Sequence, residues 1–157
     1  LEEELCQLKS DKKQLIKELT QQKELLEISS QKIMTVQAER ELKENILKGS
    51  EIYQLFHKAC HVQPNIKITE KEWQELQIAI DDTYPNFSKT LYSLCPQLSL
   101  MDLRICYAIK ISLSVTETAN LVNRSKSAIT ASRIRLYKKL HGEEGSAEMF
   151  DRFIADL

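Results

Sequence analysis

An all-α fold is predicted by three features of the chain. Glycine and proline occur only three times each in 157 residues, too few turn formers for a large sheet. Residues 1–47 contain neither, and they place leucines at heptad spacing. Further on, a Ser or Thr stands three residues ahead of an acid at Thr69 with Glu72, Ser99 with Asp102 and Ser114 with Glu117. At that spacing the hydroxyl and the carboxylate each satisfy a free backbone N–H at the start of a helix. The expected architecture is a coiled-coil helix over 1–48, a helical linker over 49–97 and a helical domain over 98–157.

The first helix has a seam of Leu1, Leu5, Leu8, Lys12, Leu15, Leu19, Gln22, Leu26, Ser29, Ile33, Val36, Arg40, Lys43 and Leu47, apolar at nine of fourteen sites. A helix of this length extends about 70 Å, more than the remaining residues can cover with a core. A partner helix is therefore expected, namely a second copy in a parallel homodimer through residues 1–47, with Lys12 and Gln22 as polar interruptions that set register. The competing reading is a solvated helix or tether. Leu1 falls inside the heptad pattern with no initiator methionine, so a longer parent chain is expected.

Gly49 and Ser50 form a weak point, after which Ile52, Tyr53, Leu55, Phe56, Ala59 and Cys60 begin the globular part. His57, Cys60 and His61 have i, i+3, i+4 spacing. Structural zinc needs four ligands and no second pair stands near in sequence, so no metal or other cofactor is expected. Residues 62–68, with Pro64, read as a loop. A helix follows from the Thr69 cap through Trp73, Leu76, Ile80 and Asp82; Tyr84-Pro85-Asn86 breaks it. Phe87, Leu91, Tyr92 and Leu94 carry another short helix. Asp81 and Asp82 have no accompanying nucleophile or base, and no catalytic constellation is evident, so the chain is not expected to be an enzyme. No small-molecule site is evident either.

Residues 98–140 carry the functional signal. Leu103, Ile105, Cys106, Ile109, Ile111 and Leu113 make a strongly apolar helix with a narrow exposed strip at Arg104 and Lys110. Ser114 opens a short helix, Val115 to Val122, that ends at Asn123, a residue tolerant of the left-handed conformation. Ser125 caps a third helix. Two helices across a turn of about three residues describe a helix-turn-helix, whose second helix enters the DNA major groove. On that helix, 100° per residue puts Ile129, Ser132, Leu136 and Leu140 on a core side. Opposite lie Ser127, Thr130, Ala131, Ile134 and Lys138, flanked by Lys126, Arg133 and Arg135. Small residues let the backbone approach base edges, and flanking cations reach phosphates. A wet, merely charged surface helix is the bland alternative.

This stretch resembles the LuxR-type helix-turn-helix domain, which is close to region 4 of sigma factors. The resemblance rests on Leu98-Ser99, the apolar helix, Leu113-Ser114-Val115-Thr116-Glu117-Thr118-Ala119, Ser125 and Leu136-Tyr137-Lys138-Lys139-Leu140. It implies base contacts by Thr130, Ala131 and Ile134, and backbone contacts by Lys126, Ser127, Arg133, Arg135 and Lys138. The chain departs from the family pattern at Ser112, where glycine is usual, at Thr118 and Arg124, where aliphatic residues are usual, and at Thr130, which replaces a common lysine. More loosely, the coil, linker and helix-turn-helix together resemble the C-terminal part of membrane-tethered, tetratricopeptide-repeat transcriptional regulators of Bacteroidetes.

Charge distribution agrees with a DNA partner. The chain has a net charge of -1, yet residues 98–141 hold eight basic and two acidic groups, whereas 142–157 hold one and five. After His141-Gly142, Gly145-Ser146 start a final acidic helix whose Met149, Phe150, Phe153, Ile154 and Leu157 are expected to pack back on the domain. Cys6, Cys60, Cys95 and Cys106 lack disulfide-framework spacing and read as reduced thiols of a cytoplasmic protein. No apolar run reaches the roughly 20 residues of a membrane span. The expected function is sequence-specific transcription regulation on double-stranded DNA. The alternative is an adaptor whose helix-turn-helix faces protein.

Overall fold

The computed structural model describes residues 1–61 and 67–157. The described residues form eight α-helices and no strand: α1 Glu2–Gly49, α2 Glu51–Ala59, α3 Glu70–Thr83, α4 Phe87–Leu94, α5 Leu100–Lys110, α6 Val115–Val122, α7 Lys126–His141 and α8 Ala147–Asp156. The loop expected at 62–68 lies, as far as residue 66, outside the described residues.

Two compact units result, Leu1–Leu42 and Lys43–Leu157. In the first, the side chains of the heptad seam stand in solvent; Leu5, Leu8, Leu15, Leu19, Leu26, Ile33 and Val36 are each more than half exposed. In the second, the segments 49–97 and 98–157 share one core, in which Phe56, Leu76, Ile80, Phe87, Leu91, Ile105, Leu136, Phe150 and Ile154 are fully buried. Helix α5 lies at its centre and touches α3, α6, α7 and α8.

Local chemistry sets the helix ends. Ser50, Thr69, Ser99, Ser114, Ser125 and Ser146 each accept a backbone N–H from three residues on. At Ser99 with Asp102 and Ser114 with Glu117 the carboxylate also returns a bond to the cap N–H. At Thr69 the hydroxyl bond forms, and among the described residues Glu72 Oε2 is buried without a partner.

The turns around α6 have one construction. After α5, Ser112 takes φ 65°, with Ser112 N–H donating to Ile109 and Leu113 N–H to Ala108. After α6, Asn123 takes φ 54°, with Asn123 N–H donating to Asn120 and Arg124 N–H to Ala119. Both are Schellman closures with a non-glycine residue in the left-handed position. Ser112 thus stands where backbone sterics favour glycine.

One expectation about α5 is overturned. Lys110 is not on an exposed strip; it is buried, donates to the carbonyls of Ile154 and Ala155 at the end of α8, and lies 3.9 Å from the Tyr84 ring centre. Free carbonyls of a helix C-terminus attract a cation, and the stem of lysine packs on apolar surface. Helix α8 packs on α7 and α5 through Phe150 and Ile154, with Phe153 edge-on to His141.

Candidate nucleic-acid interface

Helices α6 and α7 are joined by residues 123–125, a connection fixed at one end by left-handed Asn123 and at the other by the Ser125 cap. Ile129 and Leu136 bury one side of α7. On the far side Lys126, Ser127, Ala131, Ile134, Arg135 and Lys138 are exposed and Thr130 is half-buried. The Thr130 hydroxyl donates back to the Lys126 carbonyl, and Ser127 Oγ lies 3.2 Å from Ser125 Oγ. Ile134, 38% exposed, is the one large apolar side chain on this face. The surface is a shallow strip of small side chains with cations along its edges.

The cations differ in their engagement. Arg135 Nη2 donates to Asp102 Oδ1 at 2.9 Å, the Lys138 ammonium sits 2.8 Å from Glu144, and Lys126 has no carboxylate within ion-pair distance among the described residues. Arg124 and Lys139 are likewise exposed cations beside the strip. The helical wheel does not single these two out; their signal is charge alone, at the turn and in the last turn of α7.

Asp102 is the buried pivot of this region. One carboxylate oxygen accepts the Ser99 N–H that caps α5, and the other accepts from Arg135 on α7. Burial pushes its pKa up, but the Ser99 N–H and the Arg135 guanidinium outweigh that and hold it below the ordinary carboxylate value.

Arg133 requires a correction. It is not a flanking cation; it is only 4% exposed, its Nε donates to Asp151 Oδ1 at 2.8 Å, its Nη2 pairs with Asp151 Oδ2, and Nη2 also reaches the Ala147 carbonyl. The reason is positional. Arg133 lies four residues after Ile129 and three before Leu136, so it belongs to the buried stripe of α7. An acid on α8 makes that burial tolerable.

Two positions at which the chain departs from the LuxR-type pattern it resembles have contrasting surroundings. Thr118 is 1% exposed and, among the described residues, its hydroxyl has no hydrogen-bond partner, so a polar atom is buried in apolar surroundings. Arg124 is in solvent, where no aliphatic residue is needed.

Elsewhere, His57 Nε2 lies 2.8 Å from the Ile111 carbonyl, and its own carbonyl accepts from the Cys60 thiol at 3.1 Å, so its ring does not join the side chains of Cys60 and His61. Those two instead meet Glu117. Comparison with protein-family models, curated proteins and solved structures finds no match to any of them.

Proposed function

We propose that the chain is a sequence-specific DNA-binding transcription regulator that uses α6 and α7 as a helix-turn-helix and dimerises through α1. The observation that carries this reading is the division of α7, with a buried side and an opposite strip of small residues bordered by Lys126, Arg135 and Lys138. Thr130, Ala131 and Ile134 would meet base edges, with Ile134 and Ala131 suited to thymine methyl groups. Lys126, Ser127, Arg135 and Lys138, joined by Arg124, would meet phosphates. Arg133 has no DNA contact in this reading; it holds α8 on α7.

The exposed heptad seam supports a partner helix for α1, and a second copy supplies the matching pattern. Two heads on one coil would read half-sites about 10 base pairs apart or a multiple of that. The likeness to LuxR-type domains and to membrane-tethered regulators supports a cytoplasmic DNA-binding segment of a longer chain. Among the described residues no helix is long and apolar enough to cross a membrane.

Selection from random duplexes at two salt concentrations tests the proposal. Enrichment of one motif is expected, with affinity falling steeply with salt, a log–log slope of about -0.9 per neutralised phosphate. A second reading, an adaptor that docks protein on this strip, is favoured by the Asp102 and Glu144 carboxylates that already occupy Arg135 and Lys138. It predicts no enrichment and partner binding that is nearly indifferent to salt.

A further inference from the structure

Three side chains capable of ligating a metal converge away from the α7 strip. Cys60 is the C-cap of α2, His61 follows it, and Glu117 sits in the first turn of α6. The ligand atoms of all three lie within 4.8 Å of one another. The Cys60 thiol is 3.5 Å from Glu117 Oε2, and His61 Nε2 is 2.9 Å from the same oxygen.

We propose that Cys60, His61 and Glu117 form a binding site for a zinc-type divalent cation, with a fourth coordination position left to solvent. Around a tetrahedral ion with sulfur at about 2.3 Å and nitrogen or oxygen at about 2.0–2.1 Å, neighbouring ligand atoms stand roughly 3.3–3.6 Å apart. Cys60 and Glu117 are already at that separation. The His61 side chain is two-thirds exposed and is the one that must move, opening a few tenths of an ångström from Glu117.

The donor set also fits in charge and support. A thiolate and a carboxylate balance a divalent cation, and a sulfur–nitrogen–oxygen set suits zinc or cobalt better than calcium or magnesium. On binding, the Cys60 S–H bond is replaced by a sulfur–metal bond and the proton leaves to solvent. Two of the ligands are held from behind. Glu117 keeps its Oε1 on the Ser114 N–H, which fixes the carboxylate, and the Asn120 amide donates to the Cys60 carbonyl. The ion would tie the end of α2 to the start of α6, residues 57 apart in sequence. This inference does not depend on DNA binding.

Cobalt(II) alone serves as the probe, added to the full chain carrying Cys6→Ser, because Cys6 is the exposed thiol and the other cysteines are buried. A thiolate-to-cobalt charge-transfer band and the visible bands of tetrahedral cobalt are expected to saturate at one equivalent. Zinc should displace them and raise the thermal midpoint by roughly 5 °C or more at saturating concentration. Cys60→Ser should abolish the charge-transfer band. His61→Ala, at an exposed side chain, and Glu117→Gln, which can still cap Ser114, should each weaken cobalt binding at least about ten-fold. Absence of the band at stoichiometric cobalt, its survival in Cys60→Ser, or unchanged affinity in His61→Ala would overturn the site. If Cys60→Ser fails to fold by circular dichroism, the His61→Ala titration decides alone.

Discussion

The two units of this chain make opposite use of their apolar residues. In residues 43–157 the large aliphatic and aromatic side chains close on one core, and most helices begin at a Ser or Thr whose oxygen accepts a free N–H. In residues 1–42 leucines at regular spacing remain in solvent. Helix formation by itself removes little apolar surface from water, so a seam of this length gains its stabilisation from a second helix. One unit therefore closes on a core of its own, and the other leaves its seam uncovered, the observation behind the proposed association. Four perturbations break or sharpen that contrast.

The largest effect is expected inside the compact unit, at a charge. Arg133→Ala leaves Asp151 and the Ala147 carbonyl without their guanidinium, and breaking a buried pair costs about 3–5 kcal/mol. Because Asp151 is more than one-third exposed, the lower end applies. Urea denaturation should show this loss, while Lys126→Ala should leave stability within about 0.5 kcal/mol. DNA affinity should reverse the order when both variants are compared under conditions in which they are folded. An Arg133→Ala chain of undiminished stability would show that the contact to Asp151 does not hold α8 on α7.

Those residues also show how far a sequence can be read. The starts of α5, α6, α7 and α8 were legible because a cap and the N–H it satisfies lie three residues apart, and Asn123 and Gly142 mark the ends of α6 and α7; the end of α5 was not, since the apolar run continues through Ile111 and Leu113 whereas the helix stops at Lys110. The inward side of α7 was legible from Ile129 and Leu136. Spacing alone sets Arg133 on that side, but that a charge can be buried there depends on Asp151, eighteen residues on, and that Lys110 turns inward depends on carbonyls forty-four and forty-five residues away. The third member of the Cys60 and His61 cluster, Glu117, is equally remote. Periodicity places a residue on a face; only the fold supplies a partner that lets a charge be buried there.

A medium effect is expected at Asp102, where the cap of α5 meets α7. Asp102→Asn removes a charge-assisted bond to Arg135 and should cost about 1–2 kcal/mol near neutral pH, since Arg135 itself is half in solvent. The folded-state pKa lies below the ordinary 3.8, so the ionic contribution is present above that value and disappears as pH falls through the folded pKa. The stability gap between wild type and Asp102→Asn should accordingly close at strongly acidic pH. A gap independent of pH would mean that shape, not charge, makes the contact. Thr118→Val should act in the opposite direction. It exchanges a buried hydroxyl that has no partner among the described residues for a methyl of nearly the same volume, and about 1 kcal/mol of added stability is expected in the same denaturation series. A loss of stability instead would show that the hydroxyl is bonded in solution.

The smallest effect on folding is expected from the largest deletion. Removing residues 1–42 takes away none of the core side chains, all of which lie at Leu47 or beyond. The remaining unit should therefore unfold within about 0.5 kcal/mol of its stability in the full chain. Association is where the deletion should be felt. Sedimentation of the truncated chain should give a monomer, and affinity for a two-half-site operator should fall while affinity for a single half-site stays the same, because only the linkage between heads is lost. A truncated chain that still dimerises would move the association surface into residues 43–157 and leave the exposed seam of α1 without its proposed partner. A monomer that binds both operators as tightly as the full chain would instead separate the coil from DNA recognition altogether.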